Sequence, residues 1–170
     1  QLLDRVRFQA ALNALGPECK SLALISPVQA LADHYKDALL EQLQLDWPGL
    51  EVKSFFPADS DSIVNAFNQR VAEMSVSEAL NPHQAPSDFK IWVVHNASAL
   101  PEHELLLLLQ LLEKFPGAQV KAMLVYAGVE MWPDGLDGFE KSLMKWIVER
   151  PKLVQIKEAV SLEHDPDRAA

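Results

Sequence analysis

Hydrophobic and polar positions along this chain switch repeatedly between a helical period and a strand period. In "LLDRVRFQAALNAL" (2–15), Leu3, Val6, Ala10 and Leu15 fall near one helical face, and Gly16–Pro17 ends the pattern. "SLALIS" (21–26) reads as a short buried strand. From 28 to 45, Leu31, Tyr35, Leu39 and Leu43 recur at helical spacing, and "DWPG" (46–49) is a turn. "LEVKSFF" (50–56) alternates as a strand does, and Asp59 or Ser60 in the following "PADSDS" is placed to cap the helix "DSIVNAFNQRVAEM". The polar, proline-bearing stretch 75–88 reads as a loop. "FKIWVVH" (89–95) is the clearest buried strand. The leucine-rich "LPEHELLLLLQLLEKF" opens on a proline and closes at "PG", as a helix does. "QVKAMLVYAG" (119–128) reads as a strand, "GFEKSLMKWIVERP" (138–151) as a helix halted before its proline, and "KLVQIKEAV" (152–160) as the last strand.

The predicted order is one helix, four strand–helix pairs and a final strand. Near-continuous apolar strands separated by helices imply a parallel sheet covered on both faces. The expected fold class is therefore α/β, a three-layer αβα sandwich around a mainly parallel five-stranded sheet. A single domain is expected over 1–160, with 161–170 as a charged tail. Ligands of such sheets bind beyond the carboxyl ends of the strands. That rule selects "SPVQALAD", "PADSDS", "HNASAL" and "AGVEMWPDG" as the segments to search for chemistry.

Composition narrows the classes of function. The chain has 170 residues, an apolar fraction of 49% and a charged fraction of 23%, enough for a sizeable core. A formal charge of −9, from 15 basic and 24 acidic residues, argues against nucleic acid as the partner, because duplex binding needs clustered Lys and Arg. Cys19 is the lone cysteine, so no internal disulfide can form, and a reducing, cytoplasmic setting is expected. No apolar run reaches the ~20 residues of a membrane span. The chain begins at Gln1 rather than Met and ends in "EHDPDRAA", so a piece of a longer polypeptide is expected. Membrane anchorage of the full-length protein stays open.

The spacing of the first helix, "SLALISPVQALADHYKDALLEQL", "FKIWVVHNASALPEHELLLLLQLLEKFPG" and "VKAMLVYAGVEMW" together resemble the P-loop AAA-type ATPase domain of the ExeA, MshM and DamX-like proteins. The likeness covers nearly the whole domain, without a helical lid. Clamp-loader subunits share the same skeleton. The resemblance implies a P-loop NTPase-like fold, and it also marks what is missing. A phosphate loop of the form Gly-x-x-x-x-Gly-Lys-[Ser/Thr] supplies close backbone amides, a neutralising lysine and a magnesium-binding hydroxyl. Aligned without a gap, Ser26 and Leu31 stand at the glycines, Ala32 at the lysine and Asp33 at the hydroxyl. The strand "IWVV" should lead into acidic residues that organise magnesium and water; His95 and Asn96 stand there instead. On the "VYAG" strand Tyr126 is the only polar candidate for a sensor position. No cofactor and no metal are therefore expected.

Several residues admit two readings. His95 is either a base or metal ligand at a strand end, or a hydrogen-bonded structural histidine. Asp59 and Asp61 either bind a cation or cap a helix. His34 follows Asp33 directly and need not face it. The leucines of 105–112 either form a partner surface or are buried between sheet and helix. Met131 and Trp132, in "VEMWPDG", either anchor an interface or fold back over the empty site. Arg150 stands where some relatives carry a catalytic arginine.

The leading expectation is a non-hydrolysing, AAA-like protein-interaction or scaffold domain rather than an enzyme. The resemblance points to a bacterial cell-envelope, division, secretion or pilus-biogenesis protein, with this domain facing the cytoplasm. One alternative is an enzyme using His95, Asn96, Asp59 and Tyr126. Another is a non-catalytic clamp-loader-type subunit, although the zinc module and Ser-Arg-Cys segment that accompany that family are missing here.

Overall fold

The computed structural model describes residues 2–18, 20–57, 63–80, 90–131 and 133–148. Helix α1 (Leu2–Leu15) leads into β1 (Ser21–Ser26) and α2 (Gln29–Asp46). Next come β2 (Glu51–Phe55), α3 (Ile63–Ala72), α4 (Val76–Leu80) and β3 (Lys90–Val94). Helix α5 (Glu102–Lys114), β4 (Val120–Ala127) and β5 (Leu143–Ile147) complete the described fold. The five strands lie in the order β2-β3-β4-β1-β5, and every neighbouring pair is parallel. The result is a three-layer αβα, P-loop-like sandwich.

Alternating side chains of the central strands feed two cores, because successive residues of a strand face opposite sides. Leu22, Leu24, Ile91, Val93, Met123 and Val125 point towards α1 and α2, where they meet Ala11, Leu15, Ala32, Leu39 and Leu43. Ala23, Ile25, Trp92, Val94 and Leu124 point the other way, against Ile63 and Phe67 of α3 and Leu105, Leu108 and Leu109 of α5. The leucine helix therefore spends most of its apolar arc on the sheet, and Leu107 is its large exposed apolar side chain.

Helix α1 is tied down by an uncommon device. Lys121, in β4, is buried, and its ammonium donates to the carbonyl oxygens of Leu15 and Gly16. The last carbonyls of a helix have no partner within the helix, and a cation there also meets the negative end of its dipole.

Two expectations are corrected. Residues 138–151 do not form a helix: Asp134–Phe139 make a 3-10 turn and Leu143–Ile147 make β5, which pairs with β1. The misreading has a physical cause. Leu143, Trp146 and Ile147 satisfy helical spacing, yet Leu143 and Ile147 face one core while Met144, Trp146 and Val148 face the other. The edge of β1 supplies hydrogen-bond partners that a helix would leave unpaired. The second correction concerns 75–88, expected as a loop. Residues 76–80 are helical, and Ser75 and Glu78 form a reciprocal cap: the Glu78 amide donates to Ser75 Oγ (3.2 Å) and the Ser75 amide to Glu78 Oε2 (3.1 Å). The strand expected at 152–160, the tail at 161–170, and Cys19, Asp59, Ser60, Asp61, Trp132 and Arg150 lie outside the described residues.

Candidate functional site

The β1–α2 junction is where the phosphate loop would lie. Strand β1 ends at Ser26 and α2 begins at Gln29, so only Pro27 and Val28 connect them. Proline has no N–H to offer. The Val28 amide donates to Ser26 Oγ (3.1 Å), and the Ser26 hydroxyl in turn donates to the Val28 carbonyl oxygen (2.9 Å). The Ser26 carbonyl accepts the Gly128 amide at 2.8 Å, and the Val148 amide reaches the Ile25 carbonyl at 2.7 Å. The end of β1 is thus pinned on both sides, and its connection turns its polar groups on itself.

The remaining loop positions follow from this early helix start. Leu31 and Ala32 already belong to α2, and Ala32 is fully buried in the core it shares with α1. Asp33 lies on the outer surface of α2, where its carboxylate accepts from Gln29 Nε2 (3.1 and 3.2 Å) and stands 3.8 Å from the Lys36 ammonium. That ammonium also pairs with Asp37 at 3.3 Å.

A second constellation forms beyond β2 and β3. The parallel register sets Ser54 beside Val93 and Phe55 beside Val94, and the His95 amide extends the ladder to the Phe55 carbonyl at 2.9 Å. Val93 faces α2 and Val94 faces α5, so the alternation returns His95 to the α2 side. There His95 Nε2 lies 3.1 Å from Ser54 Oγ, and the Phe56 ring stacks on the imidazole at 4.5 Å and 8°. Burial depresses the His95 pKa below its ordinary 6.5, and the nearby Lys36 charge depresses it further. The Asp33 and Asp37 carboxylates oppose both. The net direction favours the neutral imidazole.

Asn96 turns the chain away in the left-handed region (φ 51°, ψ 54°), which asparagine tolerates better than most residues, and accepts from Ser98 Oγ at 3.0 Å. Tyr126 does not join His95. It points into the α3–α5 core, where its hydroxyl has no hydrogen-bond partner among the described residues and burial pushes its pKa up to about 12. Met131 is 77% exposed.

Between the amino-terminal halves of α1 and α2 lies an open hollow of about 530 Å³, lined by Asp4, Arg5, Phe8, Gln9 and Tyr35. The Trp146 ring underlies it, 5.0 Å from Tyr35 and 6.3 Å from Phe8. Tyr35 was expected only as a helix-face position, and none of the candidate site residues read from the sequence lines the hollow.

Sequence reasoning missed Ser54, Phe56, Lys36 and Asp37 as neighbours of His95. The signal was present only in part: "KSFF" and "VVH" both end strands, but nothing in their spacing says that those strands are adjacent. Chemically, the site offers an imidazole, a hydroxyl, an exposed aromatic ring and, on α2, two carboxylates paired with the Lys36 ammonium. Among the described residues no three His, Cys, Asp or Glu side chains are grouped as metal ligands. No helix among them is long and apolar enough to cross a membrane. The chain matches no protein-family model and no curated protein.

Proposed function

We propose that this chain is a non-hydrolysing, P-loop-like protein-interaction domain, a scaffold that keeps the nucleotide-binding architecture without its chemistry. The observation that carries the reading is the two-residue β1–α2 connection. One of its residues has no amide hydrogen, and the other's is taken by Ser26 Oγ. A phosphate cradle depends on several backbone N–H groups aimed at one point, with a cation beside them. Here the nearest side-chain charge along the helix is the Asp33 carboxylate, which repels phosphate. By its family resemblance the protein takes part in a bacterial cell-envelope, division, secretion or pilus-biogenesis assembly, with this domain in the cytoplasm.

Titration calorimetry with Mg-ATP and Mg-ADP, alongside a phosphate-release assay, tests the reading. The expected result is no saturable heat in the micromolar range and no turnover. Micromolar binding or turnover that is lost on substitution within residues 26–33 rejects it.

The Ser54–His95 contact favours one second reading, a hydrolase with serine as nucleophile and histidine as base. No carboxylate hydrogen-bonds to His95 among the described residues to orient it as in a triad. Turnover of an activated ester that disappears in Ser54→Ala would support this second reading over the first.

A further inference from the structure

We infer that the hollow between α1 and α2 binds a free aromatic α-amino acid, with its ring against Phe8 and Tyr35 and its two charged groups at Asp4 and Arg5. This ligand is additional to the interaction-domain reading and does not depend on it.

The hollow lies where ligands of such folds sit. Lys121, near the start of β4, holds the end of α1, whereas Arg7, in the second turn of α1, donates to the Ile147 carbonyl oxygen at the end of β5 (2.9 Å). Helix α1 therefore runs against the strands, as does α2, which starts where β1 stops. The amino-terminal halves of both helices, with the hollow of about 530 Å³ between them, stand at the carboxyl end of the sheet. Parallel α/β sheets bind their ligands at that end, and pockets of about 300–1,000 Å³ suit small molecules.

The walls are fixed before any ligand arrives. The Tyr35 ring is held between Trp146 (5.0 Å, 59°) and His34 (5.2 Å, 72°), and the Phe8 ring meets Trp146 at 6.3 Å and 75°. Both rings are only part-buried, and both line the hollow. An aromatic ligand gains burial and edge-to-face contact there, and side chains already held in place lose little entropy on binding.

Charge selects among aromatic ligands. Asp4 and Arg5 both line the hollow. Successive residues of a helix do not face each other, so these two present separate poles. Arg5 is exposed and forms no ion pair among the described residues. An α-amino acid carries the matching poles, an ammonium for Asp4 and a carboxylate for Arg5, beside its side chain. An aromatic amine leaves the guanidinium unmatched, and an aromatic acid leaves the Asp4 carboxylate unmatched. A nucleotide brings phosphates towards Asp4 on a chain of net charge −9.

The test is a calorimetric titration with L-tryptophan, tryptamine and indole-3-propionate, with amide chemical shifts of the isotopically labelled chain followed alongside. L-Tryptophan should bind saturably, with shifts clustered at 4–9 and 31–36. It should bind at least about fivefold more tightly than either analogue, the loss expected when one exposed charge-assisted contact is removed. Arg5→Gln should weaken L-tryptophan by a similar factor and leave tryptamine no weaker. Asp4→Asn should weaken L-tryptophan likewise and leave indole-3-propionate no weaker. Glu41→Gln, an exposed acid further along α2 and outside the hollow, serves as control and should bind normally. Thermal melts establish that the variants are folded; if one is not, the analogue comparison on the unaltered chain decides alone. Absence of saturable binding overturns the inference. So do equal affinities for the three compounds, shifts away from the two helices, and folded variants that bind L-tryptophan as the unaltered chain does. A parallel titration with Mg-ATP keeps the two readings apart: nucleotide binding sinks the interaction-domain reading, whereas failure of L-tryptophan without nucleotide binding sinks only the amino-acid site.

Discussion

The Lys121 ammonium, carried on a central strand, donates to the carbonyl oxygen of Leu15 at the end of α1, 106 positions earlier in the chain. This contact joins the first helix of the sandwich to its sheet through a buried lysine that donates to two backbone carbonyls. Lys121→Met keeps most of the apolar stem but leaves the Leu15 and Gly16 carbonyls without this donor. The expected cost is about 1.5–3 kcal/mol, the range for hydrogen bonds made by charged groups. Urea unfolding monitored by circular dichroism measures it, and a loss below about 0.5 kcal/mol would show that water replaces the lysine without penalty.

Gly117 is held against α4. A Cβ at this position would run into the backbone carbonyl of Glu78, which cannot move aside as a side chain could. Gly117→Ala should therefore lower stability by about 1–3 kcal/mol, as overpacking typically does. Gly138→Ala is the matched control, because a Cβ there meets nothing within 4 Å. Equal melting temperatures for the two variants would contradict the proposed contact.

Tyr126 gives the fold an alkaline weakness. Its folded-state pKa is about 12 against an ordinary 10.0, with burial as the cause. As pH rises past 10 the unfolded chain releases this proton while the folded chain keeps it, so stability falls across the window from 10 to 12. The loss is about 2–3 kcal/mol in all. Tyr35, whose pKa burial and the Asp4 carboxylate also raise, adds a contribution of the same sign. Tyr126→Phe should flatten the alkaline decline. By deleting an unpaired buried hydroxyl it should also leave neutral-pH stability unchanged or improve it, by about 1 kcal/mol at most. Unfolding curves at pH 7 and pH 11 for both proteins decide the matter.

His95 acts at the other end of the scale. Its pKa is depressed, so it favours the folded state above the unfolded value of 6.5, and that contribution is lost as pH falls through the folded value. In a nuclear magnetic resonance titration the His95 ring should change state below 6.5. Lys36→Gln should move its midpoint up, and Asp37→Asn should move it further down. A midpoint insensitive to both substitutions would mean that the charges of α2 do not reach the ring.

Much of the sheet was legible because buried parallel strands are written as near-continuous apolar runs. "SLALIS", "KIWVV" and "VKAMLVYA" have few other possible fates. The fifth strand was not, since five residues with Leu143, Trp146 and Ile147 at their spacing fit both periods, and only the open edge of β1 decides between them. The short helix α4 was announced by "SVSE", a capping box whose meaning is easily lost in a proline-bearing stretch. Of the candidate site, the absence of lysine and hydroxyl from the loop could be read directly. The surroundings of His95 could not, because Ser54 lies 41 residues away and reaches it only through strand pairing. Lys121 was equally hidden, as a single charge in an apolar strand looks solvent-facing until a helix end is placed over it.

The brevity of the Pro27–Val28 link carries a consequence for the engineering of this protein. A domain whose cradle had merely exchanged side chains could be repaired by exchanging them back. This one starts its helix too soon, so a lysine substituted at Ala32 would be driven into the packed interior and would never arrive at the rim. A phosphate cradle at this junction would demand inserted backbone, a length change that point mutation does not supply.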